Sequence, residues 1–138
     1  MRTLRKIIFV TVILSFSFRL LAPTRESLTI PISGPIEPFR QLINAIGKVE
    51  TNFDTLAYNS VEQAVGFFQI RPIRLKDYNR RTGNHYKMKD LYNYKISEKI
   101  FLYYAVKIGP DNFEKIARNW NGSGRKTTYY WNNVRKHL

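Results

Sequence analysis

The chain has 138 residues, no cysteine, two histidines and a formal net charge of +13. One domain is expected at this length, and without cysteine it must be held together by packing rather than by disulfides. His85 and His137 lie far apart in the sequence, so neither a zinc site nor a cofactor is predicted.

The first 22 residues resemble a targeting segment. Arg2, Arg5 and Lys6 form a basic start, and an almost wholly apolar run over 7–18 follows. This pattern is typical of a signal peptide, and the run is shorter than the about 20 residues of a membrane span. Arg19 follows without a clean cleavage site, so an uncleaved N-terminal anchor is the alternative. Either interpretation predicts an exported protein, periplasmic or elsewhere in the cell envelope, that contacts the membrane only through its N-terminus. The lack of disulfides fits a bacterial envelope.

Residues 23–37 are predicted to be a linker, because three prolines and Gly34 fall within them. The folded domain is then 38–138, which is enough for one modest core. Without the basic residues of 1–22, the chain keeps 19 basic and 10 acidic side chains, a net charge of +9. This charge favours an anionic partner but does not choose among nucleic acid, an anionic membrane and a cell-wall polymer.

The domain is predicted to be mainly helical. A first helix starts at Pro38, because proline suits a first helical turn, and apolar residues then recur at helical spacing through Val49. Positions 64–70 are short, apolar and hold a glycine, which predicts a hairpin or a buried loop. A short helix over 73–81 is expected to stop at Gly83.

Three further helices are predicted towards the C-terminus. Ser97 is expected to cap a helix that ends at Gly109, and Asp111 to cap another that runs through Trp120. The stretch 121–124 breaks that helix, and a final one covers 127–138. The fold class predicted from these elements is a small helical domain with one irregular segment in its middle.

Glu50 interrupts the apolar face of the first helix. At about 100° per residue, it falls on the same arc as Ile43 and Ile46, and Gly47 removes side-chain bulk beside it. Desolvation, apolar neighbours and the negative end of the helix dipole should each raise its pKa. A raised carboxyl pKa is what a general acid requires at neutral pH. The pattern leaves an alternative open, in which the helix ends before Glu50 and the side chain points to water.

Three segments resemble the lytic transglycosylase family, whose fold is that of goose-type lysozyme. They are VETNFD at 49–54, AVGFFQIRP at 64–72 and ARNWNGSG at 117–124. Family members have a helix that ends in Glu-Ser, then a Gly-x-x-Gln-x-x-Pro segment, then a Tyr-Asn-Ala-Gly segment, in this order. The resemblance implies a lysozyme-like α+β fold in which the irregular segment lies beside the active-site groove.

The same resemblance implies the site residues. Glu50 matches the catalytic glutamate, and Thr51 keeps the hydroxyl of the serine that is thought to position the substrate or the acid. Trp120 replaces the family's tyrosine by a ring without the hydroxyl. The other positions implied to bind substrate are Gly66, Phe68, Gln69, Asn121 and Tyr130. Gly47 is then expected to provide clearance beside the saccharide groove.

The implied reaction is cleavage of the β-1,4 bond between N-acetylmuramic acid and N-acetylglucosamine in peptidoglycan, with a 1,6-anhydro product. Small members of the family often serve a secretion or conjugation machine or a phage, so peptidoglycan strands and such a machine are the partners that the resemblance implies, and nucleic acid is not expected.

Two alternatives stay open at this point. One is a hydrolysing lysozyme on the same fold. Its second carboxylate could be Asp54, Glu62 or Asp77, of which Glu62 lies in a polar loop that could be near the groove. The other is a non-catalytic binder of wall glycans or nucleic acid that depends on basic charge. Arg71, Arg74, Arg80 and Arg81 form a basic cluster after the second motif. Its default interpretation is a solvated face, and attraction to the anionic cell wall is the functional alternative.

Overall fold

A computed structural model describes residues 37–138. The predicted targeting segment 1–22 and all of the predicted linker except position 37 lie outside the described residues. Within 37–138 the protein is mainly helical, with five α-helices and a two-stranded sheet. The helices are α1 (Arg40–Thr51), α2 (Pro72–Thr82), α3 (Tyr94–Ile108), α4 (Phe113–Asn121) and α5 (Lys126–Val134), and the strands are β1 (Tyr58–Asn59) and β2 (Ala64–Val65). Short 3-10 turns cover Glu37–Phe39, Met88–Tyr92 and Arg135–His137. No helix among these residues is long and apolar enough to cross a membrane.

The first helix forms where it was predicted and runs to Thr51. Its apolar stripe is buried at Leu42, Ile43 and Ile46, so packing stabilises the helix along its whole length. It ends because Asn52 and Phe53 both adopt a left-handed backbone conformation, with φ of 54° and 71°. The Phe53 N–H then donates to the carbonyl of Gly47, which is a helix-ending pattern.

The segment 64–70, predicted to be a hairpin or a buried loop, is a buried turn whose first two residues form a strand. Strand β2 pairs antiparallel with β1, and Val65 bridges back to Ile70, so the chain folds over itself in a tight buried turn. Gly66 has a φ of +76°, and a Cβ there would collide with the carbonyl of Leu91. Glycine is therefore required at this position by backbone packing.

Helix α2 begins with Pro72 and ends at Gly83, which has a left-handed backbone conformation, as predicted. The predicted start of α3 was wrong. Asn93 caps the helix by accepting from the Lys95 N–H, whereas Ser97 is fully buried in the first turns and donates to the carbonyl of Leu91 at 2.6 Å.

The last two helices lie close to their predicted positions. Asn112, and not Asp111, caps α4 by accepting from the Lys115 N–H at 2.9 Å. Helix α5 starts at Lys126, and a 3-10 turn replaces its predicted last residues. Helix α5 packs against both α4 and α1, and this packing brings the C-terminal helix to the end of α1 that carries Glu50.

An aromatic cluster forms the centre of the core. Phe68 stacks on Phe101 at 4.8 Å between ring centroids, and Trp120 meets Phe101 edge-on at 5.0 Å. These three rings come from the hairpin turn, α3 and α4, so they join the elements that surround the candidate site.

Candidate active site

Glu50 lies in the last turn of α1 and is partly buried. The alternative in which the helix ends before Glu50 is wrong, because α1 continues to Thr51. The pKa of Glu50 is raised from 4.5 to about 7, mainly by burial and to a smaller extent by the nearby charge of Glu62. The Tyr130 hydroxyl and the charge of Arg71 act in the opposite direction. Both protonation states of this carboxyl group are therefore populated near neutral pH.

Tyr130 comes from α5 and contacts Glu50 across 80 positions of sequence. Its hydroxyl donates to Glu50 Oε1 at 2.7 Å. Burial raises the pKa of Tyr130 well above its ordinary value, and the Glu50 carboxylate adds to this effect. The phenol therefore stays protonated and remains a donor, which favours the ionised form of Glu50.

Glu50 opens into a cavity of about 250 Å³ that is lined mainly by polar and charged groups. The residues around it are Glu50, Glu62, Gln69, Arg71, Ile73, Arg74, Asp77, Tyr104, Trp120 and Asn121. A second depression of about 450 Å³ shares Glu62, Arg71 and Asn121 with it and extends towards Tyr130. Because they share these residues, the two depressions adjoin each other, and together they are called the groove below.

Three of the substrate-binding residues predicted from the resemblance line the cavity. Gln69 has a left-handed φ of 49°, and its Nε2 donates to the carbonyl of Gly66 at 3.1 Å. Trp120 is only 6% exposed and donates from Nε1 to the carbonyl of Phe68 at 3.0 Å. Asn121 follows at the end of α4. Trp120 is therefore almost wholly buried where it borders the cavity.

Three other predictions need correction. Phe68 is 0% exposed, so it packs in the core and has no surface with which to contact a ligand. Gly66 is buried and serves the backbone packing described above. Gly47 does not provide clearance for a ligand, because the ring of Phe67 occupies the space beside its Cα.

Thr51 contacts the backbone next to the site rather than the cavity itself. Its hydroxyl lies 3.3 Å from the carbonyls of Gly47 and Phe67, and it is not among the residues that line the cavity. It therefore ties the end of α1 to the hairpin turn. This geometry fits the role of positioning the acid better than that of contacting substrate.

The other carboxylates differ in their surroundings. Asp54 is exposed and accepts from the Leu56 N–H at 2.8 Å, so it shapes a turn. Asp77 is held by Arg80 and Arg81 at 2.7 Å each, and these hydrogen bonds lower its pKa to about 2.

Glu62 and Asp77 both line the cavity that holds Glu50, but only Glu62 is among the groups whose charge acts on the pKa of Glu50. Glu62 forms an ion pair with Arg71 at 3.1 Å, and its side chain is 46% exposed. Asp77 is held by two arginines, whereas Glu62 has one partner and is half-exposed, so Glu62 is the stronger candidate for a second carboxylate near Glu50.

The sequence did not identify Arg71 and Arg74 as site residues. They stand at the start of α2, where positive charge opposes the helix dipole. Glu50, at the end of α1, also carries a charge that opposes the helix dipole. A charge of the unfavourable sign at a helix end was therefore the sequence signal that could have identified Arg71 and Arg74. The solvated-face interpretation is wrong for Arg74, which packs on Trp120 and Tyr104.

Within residues 37–138, no group of three or more His, Asp or Glu side chains is arranged to hold a metal ion. Comparison of the chain with protein-family models, with curated proteins and with solved structures found no match. The family resemblance therefore rests on the three sequence motifs.

Proposed function

We propose that the chain is a lytic transglycosylase of peptidoglycan with a lysozyme-like fold and Glu50 as its catalytic residue. One observation carries the proposal: a carboxyl group with a pKa of about 7 stands in a polar groove and accepts a hydrogen bond from Tyr130. The mainly helical fold with a buried hairpin beside this groove supports the proposal.

The proposed mechanism uses Glu50 twice. Protonated Glu50 donates its proton to the glycosidic oxygen as the bond to C1 of N-acetylmuramic acid breaks, and the N-acetyl group of that sugar stabilises the positive centre. The Glu50 carboxylate then takes the proton from the 6-hydroxyl as its oxygen attacks C1. The product is a 1,6-anhydro sugar, no water is consumed, and Glu50 returns to its protonated form.

The test is mass spectrometry of the fragments that the full-length protein releases from purified peptidoglycan. Anhydro-muramic ends from the wild type, and their loss in Glu50→Gln, are expected. Glu114→Gln is the matched control, because it neutralises an exposed carboxylate on α4 outside this cavity and should leave the products unchanged. If the wild type releases no fragments but still binds the wall, the non-catalytic binder replaces this proposal.

A hydrolysing lysozyme is the second candidate, and the position of Glu62 favours it. Glu62 lines the same cavity and is close enough to influence the pKa of Glu50, as a base that activates water must be. Reducing ends without anhydro sugar, together with near-complete loss of activity in Glu62→Gln, would establish hydrolysis. Retained anhydro products in Glu62→Gln would exclude that role.

Export to the cell envelope, by a signal peptide or an N-terminal anchor, belongs to the same proposal and rests on residues 1–22 alone. Cell fractionation of the tagged chain tests it, with Arg2, Arg5 and Lys6 replaced by glutamate as the comparison. Retention of both forms in the cytoplasm would contradict export. Co-purification of the exported chain with envelope-spanning complexes would test for a secretion or conjugation machine as partner.

A further inference from the structure

The guanidinium of Arg74 is held in a fixed orientation beside the proposed active site. Its Cζ lies 4.5 Å from the ring centroid of Trp120 and 5.0 Å from that of Tyr104. Its Nη2 donates to the carbonyls of Asn119 and Trp120, each at 3.0 Å. These contacts fix the plane of the group, so its remaining N–H groups have fixed directions as well.

The remaining N–H groups of Arg74 are not used by the protein. Within residues 37–138, Nε and Nη1 donate to no acceptor, and no carboxylate lies within ion-pair distance of the guanidinium. No buried side-chain nitrogen among the described residues lacks a partner, so Nε and Nη1 must reach open space. The open space beside Arg74 is the cavity that holds Glu50 and a smaller one of about 220 Å³.

The carboxylates that line the cavity beside Arg74 have other partners. Glu62 pairs with Arg71, and Asp77 pairs with both Arg80 and Arg81, which do not line the cavity themselves. Burial lowers the pKa of Arg74, and the charge of Asp77 acts in the opposite direction without coming within ion-pair distance. Arginine nevertheless stays charged in proteins, so a poorly solvated positive charge faces the cavity and attracts anions more strongly than an arginine in water.

We propose that Arg74 binds a carboxylate of the ligand through its free N–H groups and so makes the site selective for carboxylated glycan. The identity of the ligand rests on the proposed function, since peptidoglycan strands carry such groups. They occur on the lactyl substituent of the muramic sugar when the stem peptide is absent, and on the stem peptide when it is present. Arg74 thereby fixes which sugar sits over Glu50.

Binding to full-length Glu50→Gln, measured by calorimetry, tests the proposal without depending on cleavage. The probes are soluble glycan strands with stem peptides, strands freed of peptides, and both kinds after carbodiimide amidation of their carboxylates. The proteins are Glu50→Gln alone and with either Arg74→Gln or Lys76→Gln. Lys76 is the matched control, because it is an exposed cation on the same helix outside this cavity.

Arg74→Gln should weaken binding of at least one carboxylated strand about tenfold or more, since a charge-assisted hydrogen bond is lost. The affinities of Arg74→Gln and its parent for amidated strands should agree within about twofold. Lys76→Gln should bind carboxylated and amidated strands with the same relative affinities as the parent. The strand that loses affinity identifies the carboxylate: the peptide-free strand points to the lactyl group, and the peptide-bearing strand points to the stem. Arg74→Lys, which keeps the charge, should fall between arginine and glutamine.

Equal losses on carboxylated and amidated strands would overturn the proposal, because a merely structural Arg74 would act on both alike. Absence of binding to every probe would overturn it as well. These results can be told apart from those that test the proposed function. Carboxylate-selective binding without cleavage by the wild type would contradict the proposed enzyme activity and support the Arg74 site. Cleavage without carboxylate selectivity would support the enzyme activity and contradict the Arg74 site.

Discussion

Replacing Glu50 by glutamine is expected to stabilise the protein at neutral and alkaline pH and to change little at acidic pH. The pKa of this carboxyl group is raised from 4.5 to about 7 on folding, so the folded state holds the proton more tightly than the unfolded state. Below pH 4.5 both states are protonated and no charge is desolvated. As the pH rises through 4.5 towards 7, the unfolded state ionises first, and folding loses free energy until both states are ionised.

The size of the effect follows from the pKa. Each unit of difference corresponds to about 1.4 kcal/mol, so a change from 4.5 to about 7 costs the folded state about 3 kcal/mol above pH 8. Glutamine carries no charge and keeps an oxygen that accepts from Tyr130, so it avoids this cost at every pH. For a domain of about 100 residues, the gain in melting temperature at pH 8 is on the order of ten degrees.

Urea unfolding of the wild type and Glu50→Gln from pH 4.5 to 8.5 measures the difference directly. The difference in unfolding free energy should grow by about 3 kcal/mol across this range, with most of the rise between pH 5 and 7. Glu114→Gln, which replaces an exposed carboxylate, should show no comparable growth. Parallel curves for the wild type and Glu50→Gln would refute the reasoning, because they would mean that Glu50 titrates alike in both states.

Three further predictions concern the same site and its support. Tyr130→Phe removes the hydrogen bond that favours the Glu50 carboxylate, so the alkaline limb of the pH profile of the proposed activity should move to higher pH by roughly one unit. An unchanged limb would show that this hydrogen bond does not control the pKa of Glu50. Glu62→Gln removes a charge that raises the pKa of Glu50, and in the proposed transglycosylase the same limb should move to lower pH. In Gly66→Ala the new Cβ stands on a left-handed backbone and collides with a carbonyl, so the free energy of unfolding should fall by about 2 kcal/mol or more in thermal unfolding. Gly83→Ala is the control: its Cβ would meet no atom within 4 Å, so only the backbone strain should lower the free energy of unfolding.

The parts of the fold that follow local rules were the parts that the sequence predicted. Helical periodicity put Glu50 on the apolar stripe of α1, but it left open where the helix ends, which the structure places after Glu50 at Thr51. Ser97 was misassigned because serine is a strong N-cap in general, and its burial depends on a carbonyl contributed by another element. Phe68 and Gln69 were both expected in the groove, but the left-handed backbone at Gln69 sends one side chain into the core and the other to the cavity. The contact with Tyr130 depends on how α5 packs against α1, which no local pattern contains.

The stability cost at Glu50 and its proposed chemistry have the same origin. With an ordinary pKa of 4.5, only about 0.3% of the carboxyl groups would be protonated at pH 7, and the first step of the proposed reaction would lack its acid. With complete burial and no donor, the group would hold its proton too tightly to serve as a base in the second step. Burial and Glu62 raise the pKa while Tyr130 and Arg71 restrain it, and near pH 7 the balance leaves comparable populations of both forms. A carboxyl group that must act as acid and then as base in one turnover needs this balance, and the roughly 3 kcal/mol of lost folding free energy is its thermodynamic consequence.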